Sequence, residues 1–265
     1  MVPYCVVKGV GEEVILFLHG VGGGADSWAG QLKQFSQKYM VGAWDMPGYG
    51  RSRAIKTMTF PLLADSLERL LDDRGWEKVH LVGHSMGGMV AQEFAVLRQN
   101  RLHSLTLVAT SPAFGNSAGS FQKNFIEARL GPLDAGGTMA ELAEIMIGAM
   151  MPEGVDPTCR AFAHCCMAKI PEQAYRAAVE CIVTFEQREN LSRLYVPTMV
   201  LSGQYDKIAT ADMMKKTGTP MPAKKKNPSL TDLANLVKNK MKKEDNTKMK
   251  SDDGEGLDKV QPKAV

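Results

Sequence analysis

The chain has 265 residues, of which 44% are hydrophobic and 23% charged, the balance of an ordinary globular protein. This length suffices for one sizeable domain, or for a domain that carries an inserted subdomain. No apolar run reaches the roughly 18 residues that a membrane helix needs, and residues 1–8 lack the pattern of a secretory signal. We therefore expect a cytoplasmic protein without a membrane span.

The net charge of +3 is unevenly distributed. Residues 215–265, called here the lysine-rich tail, contain 13 lysines and 7 acidic residues but no arginine and no aromatic residue. A basic tail could contact nucleic acid or anionic lipid. Its lysines are interrupted by acids, however, and it has no aromatic side chain to stack on bases, so we expect a solvated, disordered tail and no nucleic-acid partner.

The cysteines are five in number, and their spacing matches neither a disulfide framework nor a zinc site. They are Cys5, Cys159, Cys165, Cys166 and Cys181. We expect reduced, buried thiols and no bound metal.

Short apolar runs alternate with helical patterns through residues 1–112. The expected strands are Val14–Leu18, Val41–Trp44, Val79–Val82 and Leu105–Ala109, and the expected helices are Ala25–Gln37, Leu62–Leu71 and Met86–Arg98. Fully apolar strands that alternate with helices indicate a parallel sheet covered on both faces. The pattern therefore predicts an α/β fold whose core begins in residues 1–112.

The pattern changes to helices alone in residues 113–192. The expected helices there cover residues 121–129, 139–151, 158–169 and 172–186. Residues 193–214 then resume the strand pattern at Thr198–Leu201, which we expect to be an edge strand, and continue into a loop with Asp206. An insertion at this place commonly forms a lid over the carboxyl edge of the sheet, where ligands bind. In the tail, residues 229–243 could form one more helix.

The segment Gly83-His84-Ser85-Met86-Gly87 follows an expected strand directly and opens an expected helix. A G-x-S-x-G sequence in this position forms a strained turn that projects the serine oxygen above the sheet edge. The helix N-terminus and the N–H of Met86 then face a developing oxyanion. The alternative, an accidental glycine-rich turn, does not account for the order of strand, turn and helix.

Four stretches together resemble the α/β-hydrolase superfamily, in its single-domain branch of esterases, lactonases, haloperoxidase-like enzymes and carbon–carbon bond hydrolases. They are Leu18-His19-Gly20-Val21-Gly22-Gly23-Gly24, Asp45-Met46-Pro47-Gly48-Tyr49-Gly50-Arg51-Ser52, Gly83 to Gly88, and Val196 to Asp206. The resemblance implies a mostly parallel sheet flanked by helices, with a helical lid and no cofactor.

The same resemblance implies a role for each matching residue. Ser85 would be the nucleophile, the N–H groups of Val21 and Met86 would form the oxyanion hole, and Asp206 would orient a histidine. His19 and Asp45 would be structural. The substrate would be a small ester, lactone or similar acyl compound.

The family pattern also requires a histidine after Asp206, and this chain has none. Its histidines are His19, His80, His84, His103 and His164. We expect the side chain of His84 to point away from Ser85, and His164 to be a weak candidate for the missing base. The C-terminal end of the fold is therefore expected to be incomplete, and the activity impaired. Two alternatives are an inactive ligand-binding or regulatory protein and a truncated or alternative isoform.

Overall fold

The computed structural model describes residues 1–114 and 120–206, together with Ala209, Thr210, Asp212 and Met214. The lysine-rich tail and its expected helix at residues 229–243 lie outside the described residues. The described strands are β1 Cys5–Lys8, β2 Val14–Leu18, β3 Met40–Trp44, β4 Val79–His84, β5 Leu102–Val108 and β6 Thr198–Leu201. They form one sheet in the order β1-β3-β2-β4-β5-β6, and every neighbouring pair is parallel except β1 with β3.

Helices separate the strands from β2 onward and cover the sheet. They are α1 Ala29–Phe35, α2 Phe60–Asp73, α3 Met86–Arg98, α4 Ser120–Asp134, α5 Met139–Met150, α6 Pro157–Ala168 and α7 Glu172–Ile182. Because parallel strands need crossover connections, this alternation confirms the α/β class predicted from the sequence. No described helix is long and apolar enough to span a membrane.

Strand β1 is absent from the sequence-based prediction. It is antiparallel to β3, with Cys5 opposite Trp44 and Lys8 opposite Val41. Its four residues give too short a pattern to separate a strand from a loop. At the opposite edge, β6 pairs with β5, and no strand among the described residues lies beyond it.

The helices α4–α7, called here the four-helix insertion, connect β5 to β6 and pack against the core. The ring of Phe185, just after α7, lies 4.6 Å from the ring of Phe60 on α2. A Cβ atom at Gly48 would lie 3.1 Å from Cβ of Ala174 on α7. The boundaries 113–192 for a lid stay a prediction, but this packing places the helices beside the loops at the carboxyl edge of the sheet.

Asp45 joins the loops that follow β2 and β3. Its buried carboxylate accepts hydrogen bonds from the N–H of Ala25 at 2.8 Å and from the N–H of Arg51 at 3.0 Å. Gly50 has φ of 49°, and a Cβ atom there would lie 2.5 Å from the carboxylate. Glycine is therefore needed at this position for both conformation and space.

Two of the five cysteines, Cys5 and Cys181, are buried, and burial raises the pKa of each thiol to about 12. The expectation of buried thiols is wrong for Cys159 and Cys165, which are exposed. Both lie on α6, and Cys159 lines the cavity described below.

We expect Gly50→Ala to lower the free energy of unfolding by roughly 2–4 kcal/mol, since it adds a steric clash to the strain of a positive φ. Gly75→Ala is the matched control, because Gly75 has φ of 66° and no atom within 4 Å of an added Cβ atom. It should cost only about 1 kcal/mol. Urea unfolding measures both values, and equal losses would contradict the steric role of Asp45.

Candidate active site

Ser85 occupies a tight turn between β4 and α3, with φ of 52° and ψ of −120°. A positive φ is strained for a serine and marks a turn that the surrounding packing enforces. That packing is made by glycines. A Cβ atom at Gly83 would overlap the carbonyl oxygen of Gly87, and one at Gly87 would overlap that of Leu18. Only glycine therefore fits at these two positions around the serine.

The backbone of Ser85 is held on both sides. Its N–H donates to the carbonyl of Val108 at 2.9 Å, and its carbonyl accepts from the hydroxyl of Thr110 at 2.8 Å. Both partners lie at the end of β5 or just beyond it. The Ser85 side chain has no hydrogen-bond partner among the described residues, so its hydroxyl is free to meet a ligand in the cavity that it lines.

Two backbone N–H groups lie beside Ser85. Met86 is the first residue of α3, where helical N–H groups have no acceptor within the helix. Val21 follows Gly20, and a Cβ atom at Gly20 would lie 3.0 Å from Cβ of Ser85. No described group accepts a hydrogen bond from the N–H of Val21. Both residues also line the cavity, so the expected oxyanion-hole residues and the serine share one site.

His19 is a structural residue. The N–H of Met46 donates to its Nε2 at 3.0 Å, and its Nδ1 lies 2.8 Å from the carbonyl oxygen of Gly20. Nε2 is therefore an acceptor and Nδ1 carries the proton, the neutral form of the ring. Burial lowers the pKa of His19 to about 4, which agrees with this neutral form. Since both nitrogens are engaged, His19 is unsuited to take a proton from Ser85.

His84 differs from the sequence-based expectation. A Cβ atom at Gly20 would lie 3.0 Å from both Nδ1 of His84 and Cβ of Ser85, so these two atoms are within about 6 Å of each other. Both residues line the same cavity, so the expectation that His84 points away from the serine is wrong. Enclosure by the protein lowers the pKa of His84, while the charge of Asp206 raises it.

Asp206 lies in the loop after β6, as expected for an acid at the carboxyl edge of the sheet. Its carboxylate accepts a hydrogen bond from the N–H of Ala209 at 2.9 Å. Its charge acts on His84, whereas the resemblance requires a histidine that follows Asp206. The acid is therefore near one imidazole, but not the one that the family pattern supplies.

The remaining histidines are far from this chemistry. The rings of His80 and His103 lie tilted to each other, with centres 5.2 Å apart, near the opposite edge of the sheet, where β4 and β5 begin. His164 on α6 does not line the cavity, and its Nε2 lies 3.1 Å from the carbonyl oxygen of Ala140. His164 is thus not a replacement base.

Ser85 opens onto a cavity of about 890 Å³ between the sheet edge and the four-helix insertion. Most of its walls are apolar side chains, among them Phe125, Met146 and Met167. A largely apolar cavity with a few convergent polar groups is the usual form of a small-molecule site. Among the described residues, no group of three His, Cys, Asp or Glu side chains could hold a metal ion.

The neutral state of His19 predicts a pH dependence of stability. The unfolded chain takes up a proton near the ordinary pKa of 6.5, whereas the folded chain does so only near 4. Stability should therefore fall between about pH 6.5 and pH 4, by roughly 3 kcal/mol for this group, and then level off. In His19→Gln this part of the pH dependence should disappear in urea unfolding. Parallel pH curves for the two chains would contradict the assignment.

Comparison with known proteins agrees with the geometry. A family model described as the alpha/beta hydrolase fold matches residues 13–141. The dihydrolipoyllysine-residue acetyltransferase component of the acetoin cleaving system of Cupriavidus necator is 40% identical over 46% of this chain, and the match spans 33% of that relative. The 3-oxoadipate enol-lactonase 1 of Acinetobacter baylyi is 25% identical over 74% of this chain and 72% of its own length.

Solved structures show the same fold. A thermophilic esterase from Thermogutta terrifontis, with malate bound, matches with a TM-score of 0.74 and 26% identity, over 83% of this chain and 81% of that chain. The strand order, the turn at Ser85 and these similarities agree with one another. The chain has the α/β-hydrolase fold, which its motifs resemble.

Proposed function

We propose that this chain is a serine hydrolase that acts on a small ester, lactone or similar acyl substrate through Ser85. The observation that carries the proposal is the strained turn, which directs an unengaged hydroxyl into an apolar cavity beside two backbone N–H groups. In acyl transfer the hydroxyl oxygen attacks the substrate carbonyl, and the negative charge moves to the carbonyl oxygen. The N–H groups of Val21 and Met86 would stabilise that oxygen.

The relatives support the class of substrate. The similar proteins include an enol-lactonase and an esterase, which both cleave carbon–oxygen acyl bonds by their names. The largely apolar cavity suits an uncharged acyl group better than a polyanion. Serine acyl transfer needs neither a metal nor an organic cofactor, so we propose none.

We further propose that activity is impaired in this chain. A serine hydroxyl is a poor nucleophile at neutral pH without a base to take its proton. The resemblance assigns the acid to Asp206, but no histidine follows it in residues 207–265. His19 is engaged through both nitrogens, and His164 does not line the cavity. His84 does line it, but among the described residues no hydrogen bond joins its ring to the Ser85 hydroxyl. The missing step is therefore the removal of the hydroxyl proton.

Turnover of a short-chain p-nitrophenyl ester tests both parts of the proposal. We expect a kcat at least about 10³-fold below the typical enzyme value of roughly 10 s⁻¹, because one triad member is absent. Ser85→Ala should lower this rate further, to what the oxyanion hole and substrate binding supply without a nucleophile. Ser111→Ala is the matched control, since Ser111 also lines the cavity but its hydroxyl is bonded to the carbonyl of Ala113 at 2.7 Å. Equal rates in the Ser85→Ala and unsubstituted chains would contradict the assignment of Ser85 as the nucleophile.

Added imidazole tests the impairment separately. If the chain lacks only a base, we expect imidazole to increase the Ser85-dependent rate in a saturable manner. The Ser85→Ala chain measures the hydrolysis that imidazole performs alone in solution, and this background is subtracted. A kcat near roughly 10 s⁻¹ without imidazole would show that the chain already holds an effective base.

A second candidate function is ligand binding without turnover, which the large cavity and the missing histidine both favour. In that case a small apolar ligand should bind saturably, while the ester assay detects no Ser85-dependent rate. Binding is measured by the fluorescence of Trp28, which lines the cavity. The presence of Ser85-dependent turnover, enhanced by imidazole, would decide in favour of the hydrolase.

A further inference from the structure

Arg129 on α4 is an unpaired cation in the wall of the cavity. It is the one residue with a permanent charge among the described residues that line the cavity, and no described carboxylate forms an ion pair with it. Burial lowers the pKa of each of the two histidines in the lining, which favours their neutral forms. Among the described residues that line the cavity, no acid balances this positive charge.

The position of Arg129 is held by stacking. Its guanidinium carbon lies 3.5 Å from the ring centre of Phe125, one helical turn earlier on the same face of α4. The cation–π contact with Phe125 stabilises part of the charge. It leaves the N–H groups along the edge of the guanidinium without a hydrogen-bond acceptor. No described group accepts a hydrogen bond from them. The edge is therefore available to a ligand.

Partial burial makes this arrangement unfavourable without a ligand. Loss of solvent around Arg129 lowers the pKa of its guanidinium, which records the cost of removing the charge from water. The neighbouring Tyr175 is also buried and lines the cavity. Its hydroxyl has no hydrogen-bond partner among the described residues. An anion placed here would gain both the charge of Arg129 and a hydroxyl donor.

We propose that Arg129 binds a carboxylate at the end of the substrate remote from the bond that Ser85 attacks. The substrate class is then an ester or lactone that carries one carboxylate on an otherwise apolar chain. A single guanidinium balances one negative charge, whereas a doubly charged phosphate would leave charge unpaired among apolar walls. This inference rests on the proposed function, because it assigns the same cavity to the acyl substrate.

Binding of two matched probes tests the proposal without requiring turnover. Monomethyl adipate has a carboxylate at one end, and dimethyl adipate is its neutral counterpart of nearly equal size. Both are titrated into the Ser85→Ala chain, which cannot use Ser85 to consume them, and followed by calorimetry. We expect the monoester to bind about tenfold more tightly or better, as for a charge-assisted pair in a partly desolvated site.

Variants at one position separate the subsite from general electrostatic attraction. Arg129→Gln should bring the two dissociation constants to within about twofold, whereas Arg129→Lys should keep part of the preference. Lys123→Gln is the control, because Lys123 is an exposed cation of the same helix that does not line the cavity. It should keep the full preference. Should Arg129→Gln fail to fold, as judged by thermal unfolding, Arg129→Lys still reports the change.

Three results would overturn the proposal: no preference for the monoester, no saturable binding of it, or an unchanged preference in both Arg129 variants. An equal loss of the monoester preference in Arg129→Gln and Lys123→Gln would also overturn it. Such a result would show that the preference depends only on the net charge of the chain. The ester assay with Ser85→Ala fails or succeeds independently of these titrations. A failure of the carboxylate subsite is therefore distinguishable from a failure of the proposed hydrolase.

Discussion

The close contact between the start of α3 and the end of β2 determines the rest of the site. Gly87 lies against the carbonyl oxygens of Leu18 and His19, so any side chain at this position would separate the two elements. The contact places Ser85 beside the loop that contains Val21, and it fixes the positive φ of the serine. Without it, the hydroxyl and the two N–H groups would not share one cavity.

Buried polar residues hold the surrounding loops in the conformations that this contact needs. His19 accepts a hydrogen bond from the N–H of Met46. Asp45 accepts hydrogen bonds from the N–H groups of Ala25 and Arg51. These bonds connect the loops after β2 and β3 across the carboxyl edge of the sheet. Because buried polar groups are costly when unpaired, the network favours one loop arrangement over others. The resemblance assigned both residues a structural role, and their contacts agree with it.

Sequence reasoning located the strands and helices well where the pattern was long. Strand Val14–Leu18 and helix Met86–Arg98 have the predicted bounds, because a continuous apolar run and a glycine-rich turn mark their ends. Strand β1 was missed, because four residues are too few to show the alternation of apolar and polar side chains that marks a strand. The exposure of Cys159 was missed because it depends on how α6 packs, and packing is a property of the tertiary structure.

The site was predictable where it depends on local backbone geometry, and less so where it depends on side-chain direction. The turn at Ser85 follows from its glycines, but the approach of His84 to the serine follows from the loop at Gly20, which is remote in sequence. Arg129 was missed too. The four-residue spacing of Phe121, Phe125 and Arg129 was a signal that one face of α4 is apolar and ends in a charge. Only the three-dimensional structure shows that no described acid lines the cavity beside Arg129.

The central claim is that Ser85 is the nucleophile of this chain, positioned for attack but weakly activated. Labelling with a fluorophosphonate, followed by peptide mass spectrometry, tests it most directly, since the reagent reports nucleophilic attack without requiring completed turnover. We expect a single adduct on the peptide that contains Ser85, formed slowly, accelerated by imidazole and absent in Ser85→Ala. An adduct on another residue, or none on Ser85 even with imidazole, would contradict it.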